Sequence, residues 1–128
     1  MKSLIIIAHG SRDAAANEDF VALVDEIRAV ASTRYAKITH AFLEFAQPDL
    51  KQAITQMAER GCRDLFIYPW FLSAGKHVRR DIRELSAHLQ KAHPECRIQV
   101  LDHFGALSDM ARLMAGHIES QTREKGSG

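Results

Sequence analysis

Residues Leu4 to Ala8 read LIIIA, apolar at every position, and a strand of that kind has no face to offer water. It needs cover on both sides, as a central parallel strand between two helical layers has. Three further strand-like runs follow, at about Lys37 to Leu43, Asp64 to Tyr68 and Arg97 to Leu101, and each run precedes a segment of helical period. Strict strand–helix alternation imposes right-handed crossovers and so a parallel sheet. The expectation is one α/β domain of four strands ordered 2-1-3-4 with helices on both faces. The second run mixes Thr39 and His40 with apolar neighbours and belongs at a sheet edge.

The segments between the strands carry their own punctuation. Asp13 can cap a first helix whose apolar positions Phe20, Leu23, Val24, Ile27, Val30 and Ala31 keep to one stripe. Pro48 suits the first turn of a second helix striped by Leu50, Ala53, Ile54, Met57 and Ala58, and Gly61 supplies a left-handed stop. A third helix puts Val78, Ile82, Leu85, Leu89 and Ala92 on one face before His93 and Pro94 close it. A fourth uses Leu107, Met110, Ala111, Met114 and Ile118, and residues from about 122 to 128 read as a disordered tail.

At 128 residues, 46% hydrophobic and 26% charged, the chain is long enough to bury a core of its own and too short for two domains. Its 17 basic side chains against 16 acidic ones leave +1, which excludes a general nucleic-acid-gripping field. Cys62 and Cys96 lie far apart with no Cys or His at ligand spacing, against both a zinc site and a disulfide framework. The opening apolar run ends at Ala8, too short for a leader or a membrane span, so a reducing cytoplasm is the expected home.

In sheets of this order, shared by flavodoxin-like folds, ligands bind beyond the carboxyl ends of the strands where the order reverses, here between the first and third. Three polar residues stand at such ends: His9 after the first strand, Glu44 after the second and His77 closing the loop after the third. Neighbouring strands run ~4.8 Å apart, so these side chains can converge on one ligand. Two imidazoles and a carboxylate suit a first-row transition metal or a proton relay. Trp70, Phe71 and Leu72 offer a flat ring somewhere to pack, although core or dimer contact explains them equally well. Arg12, Lys76, Arg79, Arg80 and Arg83 gather positive charge near the same rim; a solvated helix face is an equal reading of the last three and the better one for Arg83. Ser11 with Gly10 could hold an anion or simply turn the chain. Of the other histidines, His40 lies ~13 Å back along its strand and reads as structural. His88, His93 and His117 read as surface residues, and His103, at the end of the fourth strand, is a reserve ligand.

AHGSR at 8 to 12, FLEFAQPDL at 42 to 50 and FLSAGKHVRRDI at 71 to 82 resemble the motifs of class II tetrapyrrole chelatases, the small CbiX and SirB family. The resemblance covers nearly the whole chain, in order. It implies a chelatase-like domain that inserts cobalt, nickel or iron into sirohydrochlorin, an acid-rich tetrapyrrole, on routes to cobalamin, coenzyme F430 and siroheme. It further implies that His9 and His77 bind the metal and take up protons, with Glu44 assisting, and that Ser11, Arg12, Trp70, Phe71, Leu72, Ser73 and Lys76 serve the tetrapyrrole. No organic cofactor is implied; Co2+, Ni2+ or Fe2+ is a substrate. The chain lacks a second half repeating the fold and a Cys- or His-rich extension, which implies a homodimer around the macrocycle and no iron–sulfur cluster.

The chemistry of the residues is compatible with that resemblance, because insertion needs a neutral nitrogen ligand and a base within reach of each other. A phosphohistidine mechanism is disfavoured by Ala8, where an arginine before His9 would grip phosphate. Flavin binding is disfavoured by the lack of a hydroxyl-rich loop after the first strand. A non-catalytic carrier of metal or tetrapyrrole stays open, since it needs the same ligands and groove.

Overall fold

The computed structural model describes residues 1–126, apart from the side chain of Ser32. Strands β1 (Lys2–Ala8), β2 (Ile38–Phe42), β3 (Asp64–Pro69) and β4 (Arg97–Val100) alternate with helices α1 (Ala14–Ala31), α2 (Leu50–Glu59), α3 (Lys76–Ala92) and α4 (Met110–Lys125). Every pairing is parallel and the order is β2-β1-β3-β4, as the alternation predicts. Strand β1 is therefore bonded along both edges. Its side chains alternate between two apolar layers: Ile5 and Ile7 meet Leu50, Ile54 and Leu89 from α2 and α3, whereas Leu4, Ile6 and Ala8 meet Phe20 and Val24 of α1. Burying each isoleucine stabilises the fold by ~1.5–3 kcal/mol, which makes β1 its anchor.

Local chemistry sets where the helices begin and end. The Asp13 carboxylate accepts from the Ala15 N–H at 3.0 Å, as a cap should. Helix α2 begins two residues after the proline, at Leu50: Asp49 is the cap, accepting from Gln52 N at 2.8 Å while the Gln52 side chain accepts from Asp49 N at 2.9 Å. Pro48 thus precedes the helix, where its missing N–H costs nothing. Gly61 adopts φ +86°, the left-handed stop expected of it. At the sheet edge, Arg28 donates to the Ile38 carbonyl through Nε and Nη2 at 3.0 and 2.9 Å, so part of the open rim of β2 is covered. Val30 falls off the buried face of α1 and is 87% exposed, whereas Ile27 and Ala31 pack against the core.

Helix α4 departs most from expectation. Its apolar stripe forms, yet no residue of the helix is buried, and Leu113, Met114 and Ile118 are each more than half exposed. Leu107 falls in the turn before the helix. The helix runs on through Lys125, where Arg123 and Lys125 suit its negative end; residues 127 and 128, at the end of the expected tail, lie outside the described residues. Among the described residues no helix is long and apolar enough to cross a membrane. Both cysteines are free and buried, with the Cys96 thiol donating to the Cys62 carbonyl at 3.4 Å.

His40 sits inside the α1 layer, its ring edge-on to Phe20 at 6.5 Å and Phe42 at 5.7 Å, with Nδ1 buried and unpartnered. Desolvation first, then the Arg28 charge, hold its pKa below the ordinary value, against a smaller opposing pull from Asp25. The folded state favours the neutral ring, whereas the unfolded chain protonates it near ~6.5. Stability from this site is full above that value and declines as pH falls toward the lower folded value. Between about pH 7.5 and pH 5 the urea midpoint of the wild type should therefore fall further than that of His40→Phe. An equal fall in both would show that His40 titrates alike in the two states.

Candidate functional site

The β1–β2 ladder continues past both strands: Leu43 N donates to Ala8 O at 3.0 Å and Glu44 N to His9 O at 2.9 Å. This places His9 beside Glu44. Gly10 permits the approach, for at φ +94° a Cβ there would lie 1.8 Å from the Glu44 carbonyl oxygen. The next turn is tight as well, with Ala46 N donating to Glu44 O at 2.9 Å around Phe45 at φ +68°, a conformation that costs a phenylalanine about 1–3 kcal/mol. The result is a side-chain contact of 3.2 Å between His9 Nε2 and Glu44 Oε2, both about half exposed. An ionised carboxylate only accepts, so the neutral His9 ring carries its proton on Nε2 and keeps the Nδ1 lone pair free.

His77 enters from the other side of the sheet reversal, as the second residue of α3. Its Nδ1 lies 3.0 Å from Arg80 Nη2. A guanidinium only donates, so the neutral ring holds its proton on Nε2. The two histidines thus show opposite partners on opposite nitrogens. Among the described residues, no three His, Cys, Asp or Glu side chains stand close enough to share a metal ion, so His9 and Glu44 are brought together while His77 stays apart.

A cleft of about 550 Å³ opens beside His9 and is lined by Ser11, Asn17, Phe20, Phe42, Trp70, Phe71, Leu72 and Ser73. Trp70 stacks on Phe20 at 5.4 Å and 24°, and Phe20 meets Phe42 edge-on at 5.5 Å. Trp70 N also donates to Ile7 O at 2.8 Å, which ties this wall to β1. Leu72 is 76% exposed at the mouth. The aromatic floor is one that the sequence motifs only half reveal: Phe20 and Phe42 read as core, and they are core and cleft at once.

The other candidate residues divide. Ser11 is locked into its loop, its N–H donating to Asn17 Oδ1 at 2.9 Å and its hydroxyl oxygen accepting from Asp13 N at 3.0 Å. Asn17, whose Nδ2 returns a bond to Ser11 O at 2.8 Å, was not singled out by spacing; its signal is a short amide within the first turns of a helix after a Gly-Ser turn. Arg12 leaves the cleft and lies over the Phe45 ring at 5.0 Å. Lys76 opens α3 and is exposed. Arg79, Arg83 and His103 line a second cavity on the far side of Phe71, away from His9; Arg83 is exposed there, as a solvated helix position should be. His93 is more buried than a surface residue, at 18% side-chain exposure, and contacts Glu95 at 3.4 Å.

Known proteins resemble this chain in sequence and in fold. The chain is similar to the sirohydrochlorin cobaltochelatase of Methanocaldococcus jannaschii, 28% identical over 93 residues that make up 73% of this chain and 64% of that one. It is similar also to the chloroplastic sirohydrochlorin ferrochelatase of Arabidopsis thaliana, 33% identical over 91 residues, 69% of this chain and 38% of that one. The matches therefore span less than two thirds of the length of these two relatives. Among solved structures, one described as a cobalamin (vitamin B12) biosynthesis CbiX protein from Marinobacter aquaeolei superposes with a TM-score of 0.81 at 22% identity, covering 97% of this chain and 99% of that one. SirB from Bacillus subtilis with Fe3+ superposes with a TM-score of 0.83 at 18% identity, covering 99% of this chain but 48% of that one. At such identities the superpositions speak for the fold. The family model described as CbiX matches residues 3–121, from β1 into α4, and the chain belongs to that family.

Proposed function

We propose that this protein inserts a divalent metal, Co2+ in the first instance and Ni2+ or Fe2+ otherwise, into sirohydrochlorin. The observation that carries the proposal is the His9–Glu44 pair at the edge of an aromatic-floored cleft. A planar macrocycle finds apolar surface on Trp70 and Phe71, and the reacting centre finds a nitrogen ligand whose tautomer a carboxylate holds. Insertion requires the ion to shed water and two pyrrole N–H groups to lose protons. Glu44 supplies negative charge that favours cation entry and accepts a hydrogen bond from His9 Nε2–H, which leaves the His9 Nδ1 lone pair to ligate the ion or take up a pyrrole proton. His77 is the second nitrogen, and its Nδ1 becomes available when Arg80 releases it.

The same reading includes a homodimer. Two observations support it: among the described residues the apolar stripe of α4 is left exposed, and the Bacillus chain that matches so well in fold is about twice as long. A second copy of this chain is the occupant proposed for that stripe.

Incubation with metal-free sirohydrochlorin and each ion in turn, followed by absorption, should show the spectrum of the metallated ring; binding without turnover would make the protein a carrier. His9→Ala and His77→Ala should each abolish insertion with circular dichroism unchanged, and near-wild-type turnover in either would remove that residue from the mechanism. Glu44→Gln should slow turnover at least tenfold, a barrier increase of ~1.4 kcal/mol, with little effect on tetrapyrrole affinity. Gly10→Ala should lower turnover at least as far, because its Cβ drives Glu44 away from His9. Light scattering should give twice the 14.4 kDa of the chain, and Ile118→Glu should halve that mass without altering helix content, since α4 buries nothing within one copy. A fully active monomer would overturn the dimer.

A further inference from the structure

The second cavity, of about 400 Å³, lies at the carboxyl ends of β3 and β4 and shares Phe71 as a wall with the aromatic cleft. Arg79 and Arg83 stand one helical turn apart on its α3 side, with His103 across from them on the loop after β4. Three of the other arginines are occupied: Arg28 by Asp25 and the Ile38 carbonyl, Arg63 by the Ala58 and Cys62 carbonyls, Arg80 by His77 and Glu84. Among the described residues the guanidiniums of Arg79 and Arg83 have no hydrogen-bonded or ion-paired partner, and Asp102, which lines the same cavity, pairs with neither. Two like charges at i and i+4 repel and weaken the helix that carries them unless an anion joins them. The floor beneath them includes Ile82, which is buried, while both guanidiniums stand exposed at the rim, open to an anion from solvent.

The wall between the cavities is held backbone to backbone. Gly105 N donates to Phe71 O at 2.8 Å, and a Cβ on Gly105 would lie 1.6 Å from the Leu72 carbonyl oxygen. The loop that floors the cleft and the loop that presents His103 therefore keep a set spacing. We propose that Arg79, Arg83 and His103 form a carboxylate-binding subsite that grips a peripheral acid group of the ring substrate while the ring itself lies on the Trp70 side of Phe71. Paired guanidiniums suit a carboxylate because each offers parallel N–H donors to its two oxygens. The inference rests on the proposed function for the identity of the ligand, and on the cavity alone for its chemistry.

Two measurements separate those two supports. In the first, metal-free sirohydrochlorin is titrated into the protein: Arg79→Gln and Arg83→Gln should each raise Kd and KM about tenfold at unchanged kcat, while Lys91→Gln on the same helix leaves both alone. Arg83→Lys should recover part of the loss, and the methyl ester of the substrate should bind wild type and variants alike. In the second, tricarballylate, a small tricarboxylate, is followed by NMR: the Arg79 and Arg83 side-chain resonances should shift, and the double glutamine variant should show no binding. If the wild type turns sirohydrochlorin over and the glutamine variants bind it as tightly as the wild type does, the subsite is overturned and the function stands. If sirohydrochlorin is not a substrate but tricarballylate still binds at the arginines, the function falls and the carboxylate site stands. Failure of tricarballylate to shift either arginine, together with unchanged Kd for the macrocycle, removes the proposal altogether.

Discussion

Strand β1 is bonded to β2 on one edge and β3 on the other, and its apolar side chains fill both helical layers, so the position of everything at its carboxyl end is set by the best-anchored backbone in the molecule. The ladder does not stop with the strand. It runs on through Ala8 and His9 to Leu43 and Glu44 on one side and from Ile7 to Trp70 on the other. A histidine, a carboxylate and an aromatic wall are thereby carried by hydrogen bonds of the sheet itself, which gives a reacting group the rigid support that catalysis requires. Gly10 is the condition for this, because any side chain there meets the backbone of the Glu44 turn.

The cleft is built from the same material as the core. Phe20 belongs to the α1 layer, where it packs with Val24 and Phe42, and its ring also carries Trp70. An apolar cluster that extends to the surface in this way leaves a flat, poorly hydrated floor without the instability of an isolated exposed ring, since one side of each aromatic is already buried. The polar groups stand around it: His9 with Glu44 at one wall, and Ser11 and Asn17 fastened to each other at the first turn of α1. Burial of His40 beneath this region gives the fold a dependence on pH that is separate from the chemistry of the site.

Helix α4 shows what amphipathic pattern alone decides. Apolar residues at helical spacing specify a helix with a greasy stripe, and the helix is there; what the stripe packs against is a separate question that spacing does not address. The rest of the sheet closes without it. Leu113, Met114 and Ile118 are each more than half exposed along it, and a second copy of the chain is the cover proposed for them.

Strand order, the parallel sheet, the edge position of β2, the stop at Gly61 and the cap at Asp13 were all legible in the residues, because each depends on local period or on one residue's backbone preference. The motifs also marked His9, Glu44 and His77 as strand-end and loop-end groups. Which of them meet was decided in three dimensions: extension of the β1–β2 ladder joined His9 to Glu44, while the start of α3 turned His77 toward Arg80. The same holds for the arginines. Sequence spacing places Arg79, Arg80 and Arg83 near one rim, but only the packing of α3 against β4 and the Gly105 contact puts Arg79 and Arg83 into a cavity with His103 and leaves Arg80 outside it. Local propensity is a property of neighbours in the chain; the company a charged side chain keeps depends on residues far along it, and those meet only when the core has chosen how the loops lie.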